Sequence, residues 1–432
     1  MNLFRLSLAY LRRNALSALL NVLLLALGIA TITVLLLFSY QVEQRLTRDA
    51  ADIDMVVGAK GSPMQLILSS VFHIDVPTGN IPLHEARWVQ NHPLVAGTIP
   101  LALGDSYRGF RIVGTTPRYV RHYGGAPAGG SLWDDDMEAV LGARVAERTG
   151  LGVGDRFAGV HGITGGEAVG GEVHEDHPYT VTGVLRHTNS VLDRLILVSV
   201  PSVWKVHGYD HEAGLGPEHE HAGGRPAQDG AVDGNGDAQS DDEGAQGPDD
   251  ERELTALLVQ YQSPLAAVTL PRVINSRGPL QAAAPAYETA RLMQMMGIGL
   301  DTLRAFGWVL VIAAGLGVFI GLYNALKDRR YDLAQMRTLG ASRRRLFNHI
   351  LTEAIMLAVM GALLGLALGH VAAEVLGQSF RQTQQLEITG AVFLTQELWL
   401  VGLAVAVGIV AAVIPAVQAY RTDIAETLGR GR

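Results

Sequence analysis

The chain has no cysteine. Disulfides, thiolate metal sites and cysteine nucleophiles are therefore excluded. Lack of cysteine suits an oxidising compartment without requiring one. Charge is sparse as well. Asp, Glu, Lys and Arg make up 18% of the 432 residues against 48% hydrophobic residues, and mean hydropathy is +0.20. That value is high for a water-soluble chain and low for one made only of membrane helices, so spans combined with a soluble domain fit best. Motifs are missing too. No Gly-Lys dipeptide occurs, hence no Walker A loop, and the chain is not expected to be an ATPase. No HExxH, no Ser/His/Asp order and no close carboxylate pair supports a membrane-anchored enzyme. Catalytic residues are expected to be none, and no nucleic-acid partner is expected.

Long apolar runs are present. A membrane helix needs about 20 apolar residues. The first run covers 15–40, "ALSALLNVLLLALGIATITVLLLFSY", without a charge. It is longer than the apolar core of a signal peptide, about 7–15 residues, and reads as an uncleaved anchor. Further spans are expected at 305–326, 350–373 and 398–419. Cations are distributed unevenly around them. Arg5, Arg12 and Arg13 precede the first span, and Arg421, Arg430 and Arg432 follow the last. Lys327, Arg329, Arg330, Arg337, Arg343, Arg344 and Arg345 lie between the second and third. The segment between the third and fourth holds Arg381. The positive-inside rule then predicts cytoplasmic termini and a cytoplasmic 327–349 loop, with 41–304 and 374–397 outside. Residues 1–14 place Phe4, Leu8 and Leu11 at helical spacing, as in an amphipathic helix lying in the cytoplasmic interface. Residues 420–432 form a cytoplasmic tail.

The 41–304 segment is long enough for a folded domain with its own core. Alternation in "YRGFRIVGTT" and "YTVTGVL" predicts strands. "SVLDRLILVSVPSVWKV" reads as a buried strand leading into a short helix. "MEAVLGARVAERTGLGVGDRF" reads as a helix closed by Gly150 and followed by a strand. The expected fold class is thus four transmembrane helices plus a large mixed α+β extracytoplasmic domain between the first and second. "DIDMVVGAKGSPMQLILSSVFHIDVPTGNIP" is expected to form a strand and helix at the base of that domain, with His73 and Asp75 making ordinary hydrogen bonds.

Residues 207–253 differ from the rest. They carry 14 Asp and Glu against Arg225 and Arg252 and are nearly free of large apolar side chains. Such a segment cannot bury enough surface to offset chain entropy, so disorder is expected. It opens with His207, His211, His219 and His221, and His161, His174, His177 and His187 precede it. Neutral imidazole is a ligand for zinc, copper or nickel. Two readings stay open. His207, His211, His219, His221, His174 and His177 gather Zn²⁺, or the segment is a solvated acidic linker.

"RRYDLAQMRTLGASRRRLFNHILTEAIMLAVMGALLGLALG" resembles the signature region of FtsX-like ABC transporter permeases of the MacB/LolC type. "IPAVQAYRTDIAETLG" resembles the family's ending, and "AVLGARVAERTGLGVGDRF" and "YTVTGVLRHTNSVLDRLILVSVPSVW" its extracytoplasmic domain. The order of one span, a large outer domain and three spans also matches, and the His-rich acidic insertion marks a subgroup. The resemblance implies a multi-pass permease of a bacterial inner membrane with its large domain in the periplasm. It would work as a dimer with a separate cytoplasmic ABC ATPase that carries the ATP, and a periplasmic adaptor or substrate protein is a further expected partner beside membrane lipid. It also implies mechanotransmission, in which the ATPase cycle moves the outer domain to export or extract a cargo. The alternative is a regulator that uses the same strokes to activate an outer partner such as a cell-wall hydrolase.

Residue chemistry gives the 327–349 loop a matching role. Leu333, Met336 and Leu339 form an apolar stripe at helical spacing that Gly340 ends. Asp332, Arg337 and Arg343 would orient the docking of that stripe on an ATPase. In the spans, Ala313, Gly317 and Gly321, then Gly361, Gly365 and Gly369, recur every four residues and allow close helix approach, within one subunit or across a dimer.

Overall fold

The computed structural model describes residues 7, 12, 15–162, 174, 176–208, 252–328, 337–338, 340–383 and 388–421. They form two compact units. One combines Met1–Arg45 with Leu292–Arg432, and the other is Leu46–Arg291.

The chain enters through α1 (Ala15–Asp49). It then forms β1 (Met55–Ala59), α2 (Pro63–Ser70), β2 (Ile81–Pro82), α3 (Leu83–Gln90), β3 (Val95–Tyr107) and β4 (Phe110–Thr115). Next come α4 (Pro117–His122), β5 (Pro127–Gly130), β6 (Glu138–Leu141), α5 (Ala143–Thr149), β7 (Arg156–Phe157), β8 (Val160–His161) and β9 (Tyr179–Leu185). A 3₁₀ turn (Val191–Arg194) leads to β10 (Leu195–Ser199) and α6 (Val200–Val206). The remainder is β11 (Glu253–Leu254), β12 (Ala256–Tyr261), α7 (Pro264–Asn275), β13 (Leu280–Ala283), α8 (Pro285–Asp328), α9 (Arg343–Thr383) and α10 (Gln396–Arg421).

The Leu46–Arg291 unit is a mixed sheet in the order β13-β1-β12-β3-β4-β10-β6-β9-β5, with β8 added to β3 and β7 to β9. β10 runs parallel to β4 and β9 parallel to β6, while the other pairs are antiparallel. Its core gathers Met55, Val57, Ile112, Leu141, Tyr179, Val181, Ile196 and Leu257. In β9 the expected alternation is complete, since Tyr179, Val181, Gly183 and Leu185 are buried and the residues between them are half-buried. "LILVS" is the buried strand β10, and "VPSVWKV" is α6 with Ser199 as its N-cap, accepting from the Ser202 N–H. Gly150 ends α5 in the left-handed region at φ 75°. One expectation is corrected: "EAVL" is not the start of that helix but strand β6. Its run of apolar residues is central in the sheet, between β10 and β9, and short apolar runs do not distinguish buried strand from helix.

Buried cations shape the loop after α2. Arg111 on β4 donates to the carbonyls of Ser69 (3.0 Å) and Asp75 (2.7 Å), and Arg194 donates to Phe72 O (2.6 Å). His73, at φ 49°, shares a 2.9 Å hydrogen bond between its Nε2 and the buried hydroxyl of Tyr119. Asp75 Oδ1 accepts from Val76 N at 2.8 Å, so His73 and Asp75 each have other partners.

In the other unit, α1 is the shared neighbour of α8 and α9. A Cβ added to Gly361 would meet Leu25, one on Gly365 would meet Ala26 and Ile29, and one on Gly369 would meet Thr33. Gly317 and Gly321 on α8 face Asn21 in the same way. These small residues therefore serve packing inside one chain. Without a hydrophobic drive between helices in lipid, close approach supplies dispersion contact instead. Glu353 is buried within α9. The turn before α10 is tied down by Glu374, whose Oε2 accepts from Thr389 Oγ1 and Gly390 N, both at 2.9 Å.

Two outcomes are expected. At Gly365 the new Cβ would lie 2.7 Å from the Ala26 carbonyl oxygen, and a backbone atom cannot swing away. Gly365→Leu is expected to destabilise the helical unit by about 1–3 kcal/mol. Gly402, around which nothing lies within 4 Å, is expected to accept Leu with little change. Thermal unfolding of both variants in detergent compares them. His73 is held well below its ordinary pKa, first by burial and then by the charges of Arg111 and Arg194. The folded state thus refuses a proton that the unfolded state accepts. Stability is complete above the unfolded value near 6.5 and falls as pH drops below it, by up to about 1.4 kcal/mol per pH unit. His73→Asn, which tolerates the left-handed backbone, is expected to flatten that decline. An unchanged pH dependence of the unfolding midpoint, measured with chelator present, would contradict this.

Candidate metal centre

Four side chains converge on one edge of the sheet. Asp105, His161, His174 and His207 each offer one ligand atom, and these atoms all lie within 4.8 Å of one another. Asp105 Oδ1 lies 3.4 Å from His161 Nδ1, 3.7 Å from His174 Nε2 and 3.5 Å from His207 Nε2.

Each residue arrives by its own route. Asp105 sits near the end of β3, where the pairing with β4 slips between Leu103 and Ser106. Such an irregularity re-aims a side chain, and here it accompanies an acid turned inward among apolar neighbours. His161 is its direct partner across the β3–β8 pair. β8 is held by Gly162 N bonding Gly104 O (2.9 Å) and by Ser106 Oγ bonding Gly162 O (2.6 Å). His174 is fixed by its own N–H, which donates to Gly159 O at 3.0 Å. His207 caps the C-terminus of α6. A Cβ at Gly104 would stand 3.4 Å from His207 Nε2, so glycine there leaves the ring room.

The electrostatics are unusual. The Asp105 side chain is 2% exposed, and among the described residues neither of its oxygens has a hydrogen-bond partner. His174 Nε2 is likewise buried without one. The Tyr179 hydroxyl is also buried and unpartnered, and its pKa is pushed up by burial first and then by the Asp105 charge. His207 Nδ1 lies 3.0 Å from the Val203 carbonyl. A carbonyl only accepts, so Nδ1 carries the proton there and Nε2 presents its lone pair to the cluster.

His207 and His174, expected as metal ligands, are thus brought together, joined by His161 and by Asp105. His177 is not among the four; its N–H bonds the His174 carbonyl at 3.2 Å. His211, His219 and His221 lie outside the described residues. Asp105 escaped sequence reading because it lies far from the histidines along the chain. A charged residue inside the apolar strand "VAGTIPLALGDSY" was the available signal. His187 belongs elsewhere, with Glu147 Oε1 at 2.8 Å and Asp193 Oδ2 at 3.5 Å, and its pKa is raised chiefly by the Glu147 hydrogen bond.

Of the stretch expected to meet an ATPase, Asp332, Leu333, Met336 and Leu339 lie outside the described residues. Gly340 has φ 97°, and its N–H bonds the Arg337 carbonyl at 3.0 Å. Ser342 then caps α9, accepting from Arg345 N at 3.4 Å, and the Arg343 guanidinium stands 5.9 Å from the Tyr420 ring.

Among the described residues four helices are long and apolar enough to cross a membrane: Ala15–Asp49, Pro285–Lys327, Arg343–Ser379 and Gln396–Tyr420. Residues 18–219 match the MacB-like periplasmic core domain, and residues 304–424 match the FtsX-like permease C-terminal domain. The chain belongs to the FtsX-like permeases. Members of this MacB-like group are membrane subunits of ABC transporters that work with a cytoplasmic ATPase. This permease is accordingly a membrane protein with an extracytoplasmic domain between its first and second membrane helices. Among solved structures it is similar to the periplasmic region of MacB from Actinobacillus actinomycetemcomitans. That likeness has 10% identity and a TM-score of 0.33, covering 57% of this chain and 95% of that one. It is also similar to the extracellular domain of the noncanonic ABC-type transporter YknZ from Gram-positive bacteria. There the identity is 12% and the TM-score 0.29, covering 53% of this chain and 98% of that one. No curated protein matches the chain.

Proposed function

We propose that this chain is the membrane subunit of a mechanotransmission ABC transporter. ATP binding and hydrolysis on a separate cytoplasmic ATPase move its extracytoplasmic domain, which exports or extracts a cargo held outside the membrane or in its outer leaflet. Two copies of the permease pair in the working complex. Both termini and the 327–349 loop face the cytoplasm, as the excess of Lys and Arg there favours.

The observation that carries this reading is the FtsX-like permease match over 304–424, which takes in the cationic loop and the apolar helices on either side of it. Leu333, Met336 and Leu339 supply an apolar stripe for the ATPase to grip, and Asp332, Arg337 and Arg343 orient it. The stripe leads through the Gly340 turn and the Ser342 cap directly into α9. A push on it is therefore delivered to a helix that packs against α1 through Gly361, Gly365 and Gly369.

The test is reconstitution of the full chain with its cognate ATPase in lipid nanodiscs. The wild-type permease is expected to co-purify with the ATPase and to change its turnover. Placing a charge in the apolar stripe, as Leu333→Asp with Met336→Asp, is expected to lower both by at least about tenfold, the factor that 1.4 kcal/mol of lost binding produces. A wild-type chain that neither binds the ATPase nor alters its turnover would overturn the reading.

A further inference from the structure

We propose that Asp105, His161, His174 and His207 form a closed binding site for a divalent ion of the zinc class on the extracytoplasmic domain, and that the ion ties four separate segments together. The proposal goes beyond the transport reading and does not depend on it.

The first ground is Asp105. A carboxylate buried to 2% exposure, with no donor on either oxygen among the described residues, carries a large desolvation cost. Nearby imidazoles do not relieve it as hydrogen-bond donors, because all three stand at 3.4–3.7 Å and none makes a bond to it. A cation at the centre of the four groups removes the cost directly. It also gives His174 Nε2, buried and unpartnered, the partner it lacks.

The second ground is geometry. A tetrahedral zinc shell with bonds of about 2.0–2.2 Å places neighbouring ligand atoms about 3.3–3.6 Å apart. The three Asp105–His separations already have nearly that value, and the widest pair in the set needs to close by little more than about 1 Å. The three rings lie close together, tilted or edge-on to one another. Their centroids are 5.4 Å apart for His161 and His207, 5.6 Å for His174 and His207, and 6.4 Å for His161 and His174.

The third ground is the donor set. Three imidazoles with one carboxylate, and no sulfur among the four, suit Zn²⁺ and disfavour Cu(I), which prefers thiolate or thioether ligands. Hard cations such as Ca²⁺ and Mg²⁺ take mainly oxygen ligands. Four protein ligands leave no open position for a reacting water, which makes the site structural or regulatory rather than catalytic. His207 is preset for the task, since its Nδ1–H bond to Val203 O orients Nε2 as ligand.

Function follows from where the ligands sit. The ion links β3, β8, the turn before β9 and the end of α6, so part of its binding energy becomes stability of that edge of the sheet. His161 is 59% exposed, which opens a route for the ion to enter and leave. His207 is also the point from which the chain runs into the acidic, His-bearing 209–251 stretch.

The experiment uses the full chain in detergent, stripped with a chelator and titrated with Zn²⁺ alone against a chromophoric zinc chelator. One tight equivalent per chain is expected. Asp105→Asn and His161→Gln are each expected to weaken it by about 100-fold or more, beyond the effect typical of supporting residues outside the ligand shell. A variant with His211→Ala, His219→Ala and His221→Ala together is expected to keep it. Melting separates lost ligation from lost folding. In chelator, Asp105→Asn is expected to melt no lower than wild type, because the neutral amide removes an unpaired buried charge. Zn²⁺ is expected to raise the wild-type midpoint and leave that of Asp105→Asn unmoved. Absence of a tight equivalent in wild type would overturn the proposal. So would a tight equivalent that survives Asp105→Asn and His161→Gln but disappears with the three insertion histidines.

Discussion

A buried carboxylate needs a donor or a cation, and among the described residues Asp105 has no donor. That constraint organises one whole edge of the extracytoplasmic sheet. The irregular pairing of β3 with β4 turns the side chain inward, β8 sets His161 opposite it, and Gly104 keeps space for His207. The local backbone bonds around Gly159 and Gly162 bring His174 and β8 to the same point. Removing the charge would leave three imidazoles with no common purpose. Supplying a cation gives every orphaned group among the four a partner. The same economy appears around Arg111 and Arg194, whose buried charges are spent on the carbonyls of Ser69, Phe72 and Asp75 to hold a loop that exposes Ile74 and Val76.

The helical unit obeys a different solvent. In lipid the backbone must satisfy itself, so the spans are helices. Since lipid gives apolar faces no reason to associate, contact depends on shape. Glycine every four residues on α8 and α9 lets both approach α1 closely. The first span is thus packed closely on two sides. α9 begins at Arg343, within the cationic loop, and meets α1 through glycines rather than through compliant long side chains.

How much of this was legible in the sequence depended on whether the determining interactions are local. Span positions follow from apolar length, and α1, α8, α9 and α10 contain the expected runs while extending past them. The strand β9 is written in its own alternation, and the α5 stop in Gly150. "EAVL" misled because its burial on both faces comes from β10 and β9, which are distant in sequence. Histidine clustering pointed to metal chemistry and to His174 and His207. The other members of the four depend on register. Only the pairing of Asp105 with His161 across β3 and β8 puts the acid in the group, and it leaves His177 out. Whether the glycine rows serve one chain or two was open in sequence for the same reason, and Leu25, Ala26, Ile29 and Thr33 answer it for one chain.

X-ray absorption at the zinc edge reads the atoms around a bound ion directly. With one equivalent of Zn²⁺ on the full-length chain, four nitrogen and oxygen ligands at about 2.0 Å are expected, with the outer-shell scattering of three imidazoles. A shell of five or six oxygens with at most one imidazole would contradict it, and would assign the metal to loosely held acidic groups instead.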